Sequence, residues 1–125
     1  MANSKKSILV VEDSMPATKV AKFLFEKLGC HVECVGDGEI AVDLAKKNHY
    51  DGICMDIGLP TISGIEACLA IRDYETKNGL SPIPIVAVTG NCSPDEIKEY
   101  KAAGMQEVIE KPLTKDKAEY FLTFC

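Results

Sequence analysis

The sequence predicts an α/β layer sandwich built on a mostly parallel sheet, and three observations carry that expectation. Five short apolar runs alternate with five segments of helical periodicity, the order that builds strand-helix-strand units with right-handed crossovers. The central run, Gly52 to Asp56, is too short for a free-standing helix and is bounded by Asp51 before it and by Gly58 and Pro60 after it. Each run also stops on polar or turn residues. Ile8-Leu9-Val10-Val11 ends at Glu12-Asp13, Val32-Glu33-Cys34-Val35 at Gly36-Asp37-Gly38, and Gly52-Ile53-Cys54-Met55 at Asp56. Ile85-Val86-Ala87-Val88 ends at Thr89-Gly90, and Val108-Ile109-Glu110 at Lys111-Pro112. In a parallel sheet these endings gather carboxylates, a hydroxyl and an ammonium at one rim, where ligands of such sheets bind.

Each element has its own signals. Residues 1–6 read as a tail leading into the first strand. Ser14-Met15-Pro16 supplies an N-cap hydroxyl with proline in the first turn, and Val20, Phe23, Leu24 and Leu28 form a stripe that Gly29 ends. A strand near 30–35 follows. Asp37-Gly38 then turns the chain into a helix carrying Ile40, Ala41, Leu44 and Ala45, which runs out at Asn48-His49-Tyr50. Gly64 opens a third helix with Ile65, Cys68, Leu69 and Ile71 facing inward, closed by Lys77-Asn78-Gly79. Pro82 and Pro84 lead into the fourth strand. Ser93-Pro94-Asp95-Glu96 repeats the cap-plus-proline start with acids in the first turn, and that helix ends at Gly104. A last helix near 114–124 offers Phe121 and Leu122 for packing.

Composition narrows the function classes. A chain of 125 residues, 46% hydrophobic, is long enough to bury one core of ordinary size. A formal net charge of -5 argues against direct nucleic-acid binding, which needs a basic face. No apolar stretch approaches membrane-spanning length and Met-Ala-Asn-Ser-Lys-Lys lacks a signal-peptide core, so a cytoplasmic protein without direct membrane contact is expected. The six cysteines include no C-x-x-C pair. Cys30 and Cys34 alternate with Val32 on one strand face, and Cys54 and Cys68 lie in apolar segments, so reduced, buried roles are expected, with Cys125 the reactive exception. His31 and His49 have no partner at ligand spacing and read as structural or surface residues.

Taken singly, Glu12, Asp13, Asp56, Thr89 and Lys111 are ordinary turn, cap or surface residues. Together at matching strand ends they describe a chemistry. Glu12, Asp13 and Asp56 would repel one another unless a cation sat among them, and an all-oxygen ligand set favours a hard ion such as Mg²⁺. Lys111 adds a compact positive charge suited to an oxyanion, and the Thr89 hydroxyl can donate to a second oxygen. A carboxylate, Mg²⁺, a lysine and a hydroxyl suit phosphoryl transfer onto an aspartate.

On Val10-Val11-Glu12-Asp13, Met55-Asp56-Ile57-Gly58-Leu59-Pro60 with Gly64, Ala87-Val88-Thr89-Gly90 and Glu110-Lys111-Pro112, the chain resembles a response-regulator receiver domain, the phosphoacceptor module of two-component signalling. The resemblance covers nearly the whole chain and implies a flavodoxin-like, doubly wound sheet of order 2-1-3-4-5, with residues 7–125 as one receiver domain. It implies that Asp56 is phosphorylated, that Glu12, Asp13, Asp56 and the Gly58 carbonyl hold Mg²⁺, that Thr89 is the switch hydroxyl and Lys111 the phosphate partner, and that Lys111-Pro112 is a cis peptide. The implied partners are a histidine kinase or histidine phosphotransfer protein and a downstream protein target, for a monomer or weak dimer. The Glu12-Asp13 pair and the Gly58-Leu59-Pro60 loop resemble receivers of hybrid sensor kinases slightly more than single-domain regulators.

The chain departs from the commonest family pattern in three places. Glu12 stands where Asp is frequent, Gly58 and Asn91 put little bulk beside the phosphoryl position, and Val108 replaces an aromatic residue three positions before the lysine. A stiff, small valine cannot sweep between two packed arrangements, so a muted change is expected on the face of the last two helices. Other classes fit less well. An aspartyl-phosphate hydrolase would need a second acid where Gly58 stands, and a nucleotide-binding domain would need a glycine-rich loop where Glu12-Asp13-Ser14-Met15 stands. The remaining alternative is a receiver-like interaction module that is never phosphorylated.

Overall fold

The computed structural model describes residues 5–125. Strands β1 (Ser7–Val11), β2 (His31–Val35), β3 (Gly52–Met55), β4 (Ile85–Thr89) and β5 (Glu107–Glu110) alternate with helices α1 (Met15–Lys27), α2 (Gly38–Lys47), α3 (Gly64–Lys77), α4 (Pro94–Ala102) and α5 (Lys115–Leu122). The strands form one sheet in the order β2-β1-β3-β4-β5, and every pairing is parallel. Most of the tail expected over 1–6 lies outside the described residues. Pairing with β2 already begins at Lys6, whose carbonyl accepts from His31 N–H at 2.8 Å.

Strand alternation sorts the core into two layers. Leu9, Val11, Ile53, Met55, Ile85 and Ala87 face α2, α3 and Tyr100 of α4. Ile8, Val10, Cys54, Val86, Val88 and Ile109 face α1 and α5, where the Phe25 and Phe121 rings meet at 5.0 Å. Cys30, Val32 and Cys34 share this second layer, as their alternation predicts. The central strands carry near-continuous apolar runs because both of their faces are covered.

The helix starts follow their caps. Ser14, Asp37, Ser63, Ser93 and Thr114 each accept a backbone N–H from the first turn, and Ser63-Glu66 and Ser93-Glu96 complete reciprocal capping boxes. The α1 stripe differs from expectation. Ala21 and Phe25 are the buried pair, while Val20 is 46% and Phe23 61% exposed. Leu69 of α3 is likewise exposed, with Ala67 and Cys68 buried beside it. Helical periodicity allows neighbouring stripes, and the sheet picks the one whose small residue lets the helix approach closely.

Candidate functional site

Strand register delivers the site. Val11 pairs with both Val35 and Met55, so Glu12 follows directly beside Asp56. Glu12 N–H donates to Val35 O and Asp56 N–H to Val11 O, both at 2.9 Å, extending the ladder onto the two acids. On the other side Thr89 pairs with Glu110, and Lys111 N–H donates to Thr89 O at 2.9 Å. The Lys111-Pro112 peptide is cis, as expected.

These side chains converge. Lys111 Nζ lies 2.9 Å from Glu12 Oε1 and 3.3 Å from Asp56 Oδ1. Ser14 N–H donates to Glu12 Oε2 at 3.1 Å and Ile57 N–H to Asp56 Oδ1 at 2.9 Å. One carboxylate oxygen each from Glu12, Asp13 and Asp56 can be chosen so that all lie within 4.8 Å of one another. Glu12 is 9% and Asp56 8% exposed, whereas Asp13 opens to solvent. The rim therefore offers two sheltered carboxylates and one accessible one.

Close backbone approach shapes the loop beyond Asp56. Gly64 N–H donates to Ile57 O at 2.8 Å, which folds residues 57–63 back on themselves. A Cβ on Gly64 would sit 2.2 Å from the Asp56 carbonyl oxygen, so only glycine lets α3 start this close to the end of β3. Gly58, expected to add a carbonyl to the metal, lies in this loop.

The electrostatics show an excess of negative charge. Burial, followed by the neighbouring Glu12 charge, pushes the Asp56 carboxyl above its ordinary pKa, against the opposing pull of Lys111 and the Ile57 N–H. Burial alone would lower Lys111, but its bonds to Glu12 and Asp56 raise it on balance and keep it charged. Three carboxylates against one ammonium leave the cluster under-neutralised. An all-oxygen donor set in that condition fits a hard divalent cation such as Mg²⁺. Beside it opens an apolar cleft of about 240 Å³, with Pro16, Val20, Asp56, Lys111 and Leu113 among its walls.

Thr89 is 3% exposed, and its hydroxyl accepts from Asn91 N–H at 3.2 Å. The sequence reading missed what stands behind it. Tyr100 of α4 is 2% exposed and donates its hydroxyl to Asn91 O at 3.1 Å. Helical spacing of Tyr100 with Ile97 and Ala103 was the available signal. The expectation for Cys125 also changes. Its thiol is half-buried against Gly52 and Phe121, and burial pushes its pKa up to about 11, so it is not a reactive thiolate.

The response regulator receiver domain model matches residues 8–120. The chain belongs to the receiver domain family. Among curated proteins, this receiver is 37% identical over 115 residues to the sensor histidine kinase AruS of Pseudomonas aeruginosa, covering 91% of the chain and 11% of the kinase. It is 35% identical over 114 residues to the transcription factor SKN7 of Candida albicans, covering 91% of the chain and 20% of that protein. The receiver thus spans a fifth or less of these relatives. Among solved structures, it superposes with TM-score 0.90 and 28% identity on a chain of the complex between the Saccharomyces cerevisiae phosphotransfer protein Ypd1 and the Ssk1 receiver, covering 98% of this chain and 90% of that one. It matches the receiver of a Pseudomonas aeruginosa sensor histidine kinase, described with magnesium in its active-site cleft, at TM-score 0.85 and 32% identity, covering 96% of each. Fold, strand order and membership of two-component signalling therefore stand as expected.

Proposed function

We propose that Asp56 accepts a phosphoryl group from a phosphohistidine on a histidine kinase or histidine phosphotransfer protein. The observation that carries this reading is the Lys111 ammonium bonded to both Glu12 and Asp56, with Asp13 within reach of the same point. Mg²⁺ held by Glu12, Asp13, Asp56 and the Gly58 carbonyl would supply neutralisation of the charge on the phosphoryl oxygens. An Asp56 carboxylate oxygen attacks phosphorus, the P–N bond breaks, and its electron pair leaves on the imidazole, which takes up a proton. The Ile57 N–H and Lys111 contacts hold Asp56 Oδ1 in place, while Lys111 turns toward a phosphoryl oxygen as the new charge arrives. Thr89 then donates its hydroxyl to another.

The surface around the site supports a protein donor. Met15, Val20 and Phe23 expose apolar area along α1, and Val20 continues into the cleft beside Asp56. A helical partner carrying a histidine fits such a face. Among the described residues no helix is long and apolar enough to cross a membrane. The receiver's signal leaves by contact with a downstream protein or by onward transfer, within a larger hybrid kinase or as a separate regulator.

Incubation with a small phosphodonor such as acetyl phosphate, with and without Mg²⁺, tests the reading. Wild type should gain one phosphoryl group per chain only with Mg²⁺, and Asp56→Asn should gain none. An unlabelled wild type would leave the phosphorylation-independent interaction module as the better account.

A further inference from the structure

Thr89 has a neighbour that phosphoryl chemistry leaves unused. The Asn91 backbone stands between two hydroxyls, its N–H donating to Thr89 Oγ1 at 3.2 Å and its carbonyl, in the next peptide unit, accepting from Tyr100 at 3.1 Å. Tyr100 packs into the cluster that holds Met55, Ala87 and Met105. Its own carbonyl accepts from the Ala103 and Met105 N–H groups, each at 3.2 Å, where α4 ends. A ring this tightly held transmits a displacement to its helix rather than absorbing it. On β5 the corresponding chance is small, because Val108 is stiff and short.

We propose that Tyr100 carries the phosphorylation state of Asp56 into α4, with the Asn91 backbone linking its hydroxyl to that of Thr89. This rests on the phosphoacceptor reading of Asp56. When Thr89 Oγ1 turns toward a phosphoryl oxygen, the Asn91 N–H follows it or loses its acceptor. In either case the Asn91 backbone loses the arrangement that presents its carbonyl to the Tyr100 hydroxyl, and that bond shifts with it. Ring and helix then shift together. Lys101, the next residue, faces Glu107 at 3.5 Å, and Glu107 accepts from the Tyr120 hydroxyl at 2.6 Å. The shared face of α4, β5 and α5 therefore receives the change from α4 and not from a ring on β5. Tyr100 acts as a positioning residue, and the muted response expected from Val108 alone gives way to one concentrated on α4.

Amide spectra of wild type and Tyr100→Phe, each with Mg²⁺ and with or without the phosphoryl mimic beryllofluoride, test the relay. In wild type, shifts should spread from residues 89–93 through 97–103, and the Tyr100 ring resonances should move with them. In Tyr100→Phe the loop should respond as before, while the α4 response falls to roughly half or less, because the hydroxyl link between the two states is gone. A purely structural hydroxyl would change the unliganded spectrum and leave the response to the mimic intact, which would overturn the proposal. So would a stationary Tyr100 ring in wild type, a measurement that needs no variant. If wild type shows no shift even at Asp56 and Thr89, the phosphoacceptor reading itself falls, and the relay with it.

Discussion

Asp56 illustrates how one carboxylate is held in tension by its surroundings. Burial and the Glu12 charge raise its pKa in the folded protein, so the fold binds this proton more tightly than the unfolded chain does. The resulting stability is present below the unfolded carboxylate value and is lost as pH rises through the raised folded value. Above the raised folded value the ionised Asp56 therefore weighs against the metal-free fold. Asp56→Asn is expected to raise the thermal midpoint at pH 7, with the difference closing in acid. Thermal unfolding of both proteins across pH checks this, and a variant less stable than wild type at pH 7 would contradict it. Lys111 is the counterweight. Lys111→Ala should remain folded, losing about 2 kcal/mol in the metal-free protein because the buried Glu12 and Asp56 carboxylates are left without their cation, yet fail to couple phosphorylation to partner binding. A much larger loss of stability without phosphate would mean that the lysine is chiefly structural.

At the scale of elements, an ion network absent from the sequence reading joins α3 to the turn before β5. Arg72 donates to Gly104 O through Nε at 3.0 Å and Nη2 at 2.8 Å, and to Glu75 Oε1 through Nη1 at 2.8 Å. Glu75 in turn accepts from Ile83 N–H at 2.7 Å, just ahead of β4. Gly104 has a φ of 110°, and a Cβ there would come within 2.9 Å of Arg72 Cγ, so glycine serves both the turn and the crossing side chain. Removing the guanidinium strands the Glu75 carboxylate, which is 7% exposed. Arg72→Ala is expected to cost about 3 kcal/mol. Pairing it with Glu75→Gln should recover part of the loss, because no buried charge remains. Urea unfolding of wild type, single and double variants measures both, and a single variant within about 0.5 kcal/mol of wild type would show that the network contributes little.

For the whole molecule, folding and the proposed metal site are linked by mass action. An ion that binds only the folded chain stabilises it by about 2.7 kcal/mol at a hundred times its Kd. Mg²⁺ at that excess should raise the thermal midpoint by roughly 8 °C for a chain of this size. Asp13→Ala should weaken the ion by about tenfold or more and shrink that rise. Titration calorimetry gives the affinity directly, and an unchanged Mg²⁺ affinity in Asp13→Ala would remove Asp13 from the ligand set. The same variant relieves repulsion within the acidic cluster, so its metal-free midpoint should match or exceed that of wild type.

The order of elements, their caps and the residues at the rim are local information, and the sequence by itself determined them. Strand length, Ser and Asp caps, prolines in first turns and the polar residue closing each apolar run are all written within a few positions of where they act. The clustering of Glu12, Asp13, Asp56 and Lys111, with Thr89 at the end of the adjoining β4, followed once the strands were taken as parallel, because parallel register places every strand end on one rim. Only the tertiary structure decided which stripe of a helix turns inward. In α1, Ala21 and Phe25 meet the sheet and leave Val20 and Phe23 outside, although periodicity alone permits either pair. It also decided the partners that lie far apart in sequence, Arg72 with Gly104 and Cys125 with Gly52. Tyr100 belongs with them: its hydroxyl reaches a loop nine positions back only because α4 folds over the end of β4. Such contacts depend on how two faces pack, and no run of neighbouring residues encodes that distance.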